Sequence, residues 1–113
     1  MTDEEAVKLN ANLAKAFGIP SREKDCYCVL CTPPFTHLAD LTLCTILPLM
    51  PDGTSIRFTY SSEDGYHVGV LKSVIEPTPK FQAWAVEPTP GQALAQAVDC
   101  WLGFNKRAQA HKE

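Results

Sequence analysis

The sequence has no long apolar run. Its longest unbroken apolar stretch is a few residues, far short of the roughly 20 that a membrane-spanning helix needs. It also lacks an excess of charge of one sign: 13 acidic residues stand against 10 basic ones, for a net charge of −3. That balance provides no bulk attraction to a phosphate backbone, so nucleic-acid binding held by charge is excluded. Neither G-x-x-x-x-G-K-S/T nor G-x-G-x-x-G occurs, so no phosphate cradle is written in the chain. Internal repeats and low-complexity tracts are absent too. The acidic opening, Met1-Thr2-Asp3-Glu4-Glu5, has neither the basic residues nor the apolar core of a secretory signal. The expectation from these absences is a cytoplasmic protein.

The chain has 113 residues, the size of one domain. Its 45% hydrophobic and 20% charged residues match an ordinary globular composition. Five cysteines are present, at 26, 28, 31, 44 and 100. In a reducing compartment they are expected as free thiols. Cys44 and Cys100 lie in apolar segments and are expected to act as small hydrophobes.

Residues 2–17 read as a helix. Thr2 is placed to cap it with Glu5 closing a capping box, and Asp3, Glu4 and Glu5 suit the positive end of the helix dipole. Ala6, Leu9, Leu13, Ala16 and Phe17 form its apolar stripe, and Gly18 and Pro20 end it. Residues 19–35 are irregular, with a brief strand conceivable at 26–31. Residues 36–50 fit a helix or a strand. We choose a helix capped by Thr36 and stopped near Leu47 by Pro48.

Two alternating segments, Ile56-x-Phe58-x-Tyr60 and Tyr66-x-Val68-x-Val70, flank a Ser61–Gly65 turn and predict a hairpin. A polar connection over 76–80 leads to a third strand. There Gln82, Trp84 and Val86 share one face, and Phe81, Ala83 and Ala85 the other. A last helix starts at Thr89-Pro90 with Gln92 completing the cap, and carries Leu94, Ala97, Val98, Trp101 and Leu102 on one side. Residues 106–113 are expected to fray.

The expected fold is therefore α/β of the α+β kind. A three-stranded antiparallel sheet (54–60, 66–71, 81–86) is packed with N-terminal, middle and C-terminal helices. A single domain spans 1–105, followed by a tail at 106–113. The expected core comprises Leu13, Phe17, Phe58, Val68, Trp84, Leu94, Val98 and Trp101, with the first and last helices burying their stripes on the sheet.

Two constellations could carry chemistry. Cys26-x-Cys28-x-x-Cys31, with His37 or Cys44 nearby, offers the soft donors that zinc takes. A second paired cluster is missing, and the one-residue gap is tight for two ligands on one ion. The expectation is that no metal and no other cofactor is bound, with a structural zinc module as the alternative. Ser61, Ser62, Asp64 and His67 lie close in sequence, as a hydrolase would need. They fall on a hairpin with no glycine elbow or helix terminus behind the hydroxyl, so a solvated turn is expected and no residue is assigned a catalytic role.

Three stretches carry a family resemblance. Leu9-Asn10-Ala11-Asn12-Leu13-Ala14-Lys15-Ala16-Phe17-Gly18 resembles the opening helix of small phage proteins of the ABA-sandwich type. Pro33-Pro34-Phe35-Thr36-His37-Leu38-Ala39-Asp40-Leu41 resembles their proline–aromatic–polar approach to a second helix. Glu87-Pro88-Thr89-Pro90-Gly91-Gln92-Ala93-Leu94-Ala95-Gln96-Ala97 resembles their closing helix. Pro48 and Pro51 cut the second helix short, and the cysteine cluster has no counterpart in that pattern. The helix assignment at 36–47 leans on this resemblance.

The resemblance implies a phage or prophage accessory protein without enzymatic activity. Small phage proteins of this kind bind a host protein and disable a defence system, CRISPR included, in the host cytoplasm. No catalytic residues come with it. On that reading the partner is a host protein or defence complex, with no direct nucleic-acid or membrane contact. The hairpin residues Glu63, Asp64 and Tyr66 are the expected contact.

Overall fold

The computed structural model describes residues 1–72 and 81–112, so the 76–80 connection lies outside the described residues. Among the described residues no helix is long and apolar enough to cross a membrane. Helix α1 spans Asp3–Ala16, and the Thr2 hydroxyl accepts the Glu5 backbone N–H at 3.2 Å. That bond satisfies one of the orphan donors of the first turn. Ala6, Leu9, Asn10, Leu13 and Ala14 are its buried residues; Phe17 is half-buried and Ala16 is exposed. The stripe expected from sequence is thus rotated slightly toward Asn10 and Ala14.

Residues 22–38 run through turns, and the brief strand conceived at 26–31 is a turn as well. The segment is tied down at its C-terminal end. Asn10 of α1 accepts the Thr36 backbone N–H at 2.9 Å, in a buried bond. Phe35 is fully buried beside it. Thr36 therefore does not cap the next helix. Helix α2 spans Ala39–Thr45 with Leu38 at its cap and no side-chain capping bond. His37, expected in the first turn of that helix, sits in the turn before it. A single 3₁₀ turn, Leu47–Leu49, follows. Pro48 cannot donate the hydrogen bond that would extend α2.

The sheet is an antiparallel meander: β1 (Thr54–Ser61), β2 (Gly65–Lys72) and β3 (Phe81–Glu87), in that spatial order. The strands match the expected spans closely. Helix α3 spans Pro90–Lys112, with its Gln92 N–H bonded to the Thr89 hydroxyl at 3.3 Å. Its backbone is helical through 112.

α3 is the central element. It lies across β2 and β3, and both α1 and α2 pack on it. The first helix therefore buries its stripe chiefly against α3 rather than directly on the sheet. Gly91, Ala93, Leu94, Ala95, Ala97, Val98 and Trp101 are all buried. Small residues dominate because α3 is approached from more than one side. At Gly91 an added Cβ would stand 2.6 Å from the Thr36 carbonyl oxygen.

The sheet side of this core consists of Val68, Val70, Ala83 and Ala85. Residues directly opposite on paired strands share a face. The pairings Phe58–Val68–Ala85 and Ile56–Val70–Ala83 define the face toward α3. Two expectations fail here. Trp84 lies on the opposite face, which α3 does not cover, and is 47% exposed. Phe58 shares the face of Val68 but sits on the edge strand beyond the reach of α3, and is 41% exposed. Cys44 and Cys100 are also exposed rather than packed as small hydrophobes. Thr42 and Ile46 are buried, so Cys44 falls on the outer side of the helical turn between them.

Candidate functional site

The hairpin end of the sheet gathers aromatic side chains beside acids. Gly65 takes φ 96°, a conformation that glycine adopts without strain. The turn places Ser62, Glu63 and Asp64 in solvent. Tyr60 and Tyr66 pair directly across the strands. Their rings are tilted at 54° with centroids 5.1 Å apart. Tyr60 is 66% exposed, and Phe58 follows it two residues along the same face. On the other face the rings of His67 and Trp84 meet edge-on at 5.4 Å, next to the exposed Val86. His67 Nε2 lies 3.5 Å from the Asp64 carboxylate, which fixes the outer side of the turn. Of the residues expected as the contact, Glu63 and Asp64 are exposed in the turn, with Asp64 directed to His67, while Tyr66 is half-buried on the opposite face against Tyr60. Tyr60 and Phe58 join them, although sequence periodicity assigns Phe58 to the core. The alternation of these aromatics with Arg57 and Thr59 is visible in the sequence, but not that α3 packs on β2 and β3.

The hydrolase constellation is not assembled as a relay. The carboxylate of Asp64 takes the Nε2 of His67, and the Ser61 hydroxyl accepts the backbone N–H of Glu63 at 3.3 Å. Ser62 is an exposed turn residue. A serine nucleophile needs its hydroxyl on one imidazole nitrogen and the acid on the other.

A second cluster forms in the 22–32 loop. The Sγ atoms of Cys26, Cys28 and Cys31 all lie within 4.8 Å of one another. The Cys26 thiol donates to Cys28 Sγ at 3.4 Å. The backbone holds this arrangement. The Cys28 carbonyl accepts the N–H groups of both Cys31 and Thr32 at 3.1 Å, closing a tight turn. Arg22 N–H donates to the Cys31 carbonyl at 2.7 Å and Cys26 N–H to the Glu23 carbonyl at 3.1 Å. Lys15 Nζ stands 4.7 Å over the Tyr27 ring, linking the loop to α1. His37 and Cys44, the further donors that the sequence offers, are not part of this group.

The three thiols differ in acidity. Cys28 falls to about 7 because its thiolate accepts hydrogen bonds from the Cys26 thiol, then from Cys31 and from the backbone of Leu30 and Cys31. Cys31 rises to about 11, since its proton is engaged first with Cys26 and then with Cys28.

No family model, curated protein or solved structure matches this chain.

Proposed function

We propose that this is a non-enzymatic binding protein that engages a partner protein through the hairpin end of its sheet. The observation that carries this reading is the exposed pair Phe58 and Tyr60, with the half-buried Tyr66 paired against Tyr60, beside the acidic turn Glu63-Asp64. Tyrosine, tryptophan and phenylalanine are the side chains most enriched at protein interfaces. Tyr60 is held by its neighbour Tyr66, so less side-chain freedom is lost when a partner closes over it. The two acids suit a basic surface, and such complementarity speeds encounter and rejects wrong partners. The same acids repel a phosphate backbone. By the resemblance to phage ABA-sandwich proteins, the partner is a host protein or defence complex, with a CRISPR effector as one example. Its basic, nucleic-acid-binding groove would be the surface met by Glu63 and Asp64.

The test is an affinity capture from host lysate with identification of the bound proteins, run in parallel for the wild type and the Glu63→Lys, Asp64→Lys double variant. The expected result is a partner enriched by the wild type and depleted with the variant, and binding that is less salt-sensitive in the variant. Tight binding of the wild type to bare duplex DNA at physiological salt would overturn the reading.

A further inference from the structure

We propose that Cys26, Cys28 and Cys31 form a three-thiolate site for one zinc ion, with the fourth coordination position left to a ligand from outside the chain. This site is independent of the hairpin and does not rest on the partner-binding reading. Three arguments carry it.

The first is geometry. Three sulfurs around one zinc, at Zn–S of about 2.3 Å and tetrahedral angles, stand roughly 3.8 Å apart. The observed separations, 3.4 Å for Cys26–Cys28 and none above 4.8 Å within the group, bracket that value. Small side-chain rotations would complete the site without moving the backbone. The one-residue gap, which reads as tight in the sequence, is no obstacle. The chain through Cys26 to Cys28 brings both sulfurs to one side, and the turn closed at the Cys28 carbonyl returns Cys31 to them.

The second argument is that packing does not explain the cluster. A structural free cysteine is usually a buried small hydrophobe. Here Cys28 is exposed, and Cys26 and Cys31 are only half-buried. Three thiols gathered at a surface do little for a hydrophobic core.

The third is ligand chemistry. An all-sulfur set selects soft or borderline ions such as zinc and rejects magnesium and calcium. No further cysteine, histidine or carboxylate among the described residues joins the three sulfurs. Three protein ligands with an open fourth position mark a zinc that meets water or an incoming group, rather than a closed structural site. Zinc bound here also pins both ends of the Cys28–Cys31 turn. Val29 and Leu30, both exposed at its tip, are then presented in a fixed shape next to that open position.

The experiment uses the full chain, reduced and stripped of metal under inert gas, then titrated with cobalt(II) as a spectroscopic probe and with zinc. The expected result is one zinc per chain. Cobalt should give thiolate charge-transfer bands and tetrahedral d–d bands that zinc abolishes. Cys26→Ser, Cys28→Ser and Cys31→Ser should each weaken zinc binding by more than about 100-fold, since even loss of an outer-shell partner costs roughly 10- to 100-fold. Cys44→Ser and Cys100→Ser should leave it unchanged. Unaltered far-ultraviolet circular dichroism in the serine variants separates loss of a ligand from loss of the fold. Failure of the folded, reduced wild type to bind zinc would overturn the proposal. So would retention of zinc by all three loop variants, preferential uptake of copper(I) to the exclusion of zinc, or isolation of the protein with a Cys28–Cys31 disulfide.

Discussion

Replacing each of the two tryptophans by alanine should have very different consequences. Trp101 is 5% exposed, packed between α3 and the sheet, and its Nε1–H donates to Gln82 Oε1 at 3.0 Å. A buried tryptophan removes about 150–250 Å² from water, which at roughly 25 cal/mol per Å² is about 4–6 kcal/mol as an upper bound. Measured truncations of buried aromatics cost about 3–5 kcal/mol, cavity included, and that is the expected loss for Trp101→Ala. A domain of this size has a total stability of roughly 5–15 kcal/mol, so the variant keeps only part of it. Trp84 is nearly half exposed on the face turned away from α3. Its removal opens no sealed cavity, and the expected cost is about 1 kcal/mol. Trp101→Phe keeps most of the burial and loses the N–H donor, for about 1–2 kcal/mol. Urea denaturation followed by far-ultraviolet circular dichroism measures all three without relying on tryptophan emission. Equal destabilisation by Trp84→Ala and Trp101→Ala would show that α3 does not define the single core face of the sheet.

Two further outcomes follow from the loop segments. Gly91→Ala places a Cβ against the Thr36 carbonyl, and backbone cannot yield there as a flexible side chain would. It should destabilise by about 1–3 kcal/mol, despite the gain of up to roughly 1 kcal/mol that alanine brings where it fits; an increase in the urea midpoint would refute the close approach of that loop to α3. In metal-free reduced protein, alkylation of Cys28 should rise with pH through about 7 and then level off, because the thiolate is the nucleophile. Cys31, protonated up to about 11, should stay slow over the same range. Peptide mass spectrometry of the labelled protein reads both sites, and matching pH profiles would contradict the hydrogen-bonding pattern in the loop.

Features written in short sequence windows are legible in the residues alone. Thr2 with Glu5 and Thr89 with Gln92 mark the starts of α1 and α3, and two-residue alternation marks all three strands. Which face of the sheet α3 covers is not written locally. Alternation sorts Trp84 and Val86 from Ala83 and Ala85, and size alone draws Trp84 into the expected core. The helix instead rests on the alanines, because small residues allow it to approach the sheet closely while α1 and α2 press from elsewhere. Likewise, Thr36 looks like a helix cap in isolation. Its actual role depends on Asn10, 26 residues away, reaching it through the core. The cysteine spacing announces a candidate ligand set. Only the turn closed by the Cys28 carbonyl shows that all three sulfurs meet. The exposure of Phe58 and Tyr60 depends on α3 packing on β2 and β3 while β1 forms the edge, which no local pattern contains.

The binding surface is tested most directly by measuring the affinity of the captured partner for the wild type, Tyr60→Ala, and the Glu63→Lys, Asp64→Lys double variant at low and physiological salt. Tyr60 is largely exposed, so its loss should leave the fold intact while weakening binding by about 30-fold, the effect of a hot-spot residue worth about 2 kcal/mol. The double variant should bind more weakly at low salt and lose most of its salt dependence. Wild-type affinity in both variants would place the contact elsewhere on the molecule and contradict the proposed role of the hairpin.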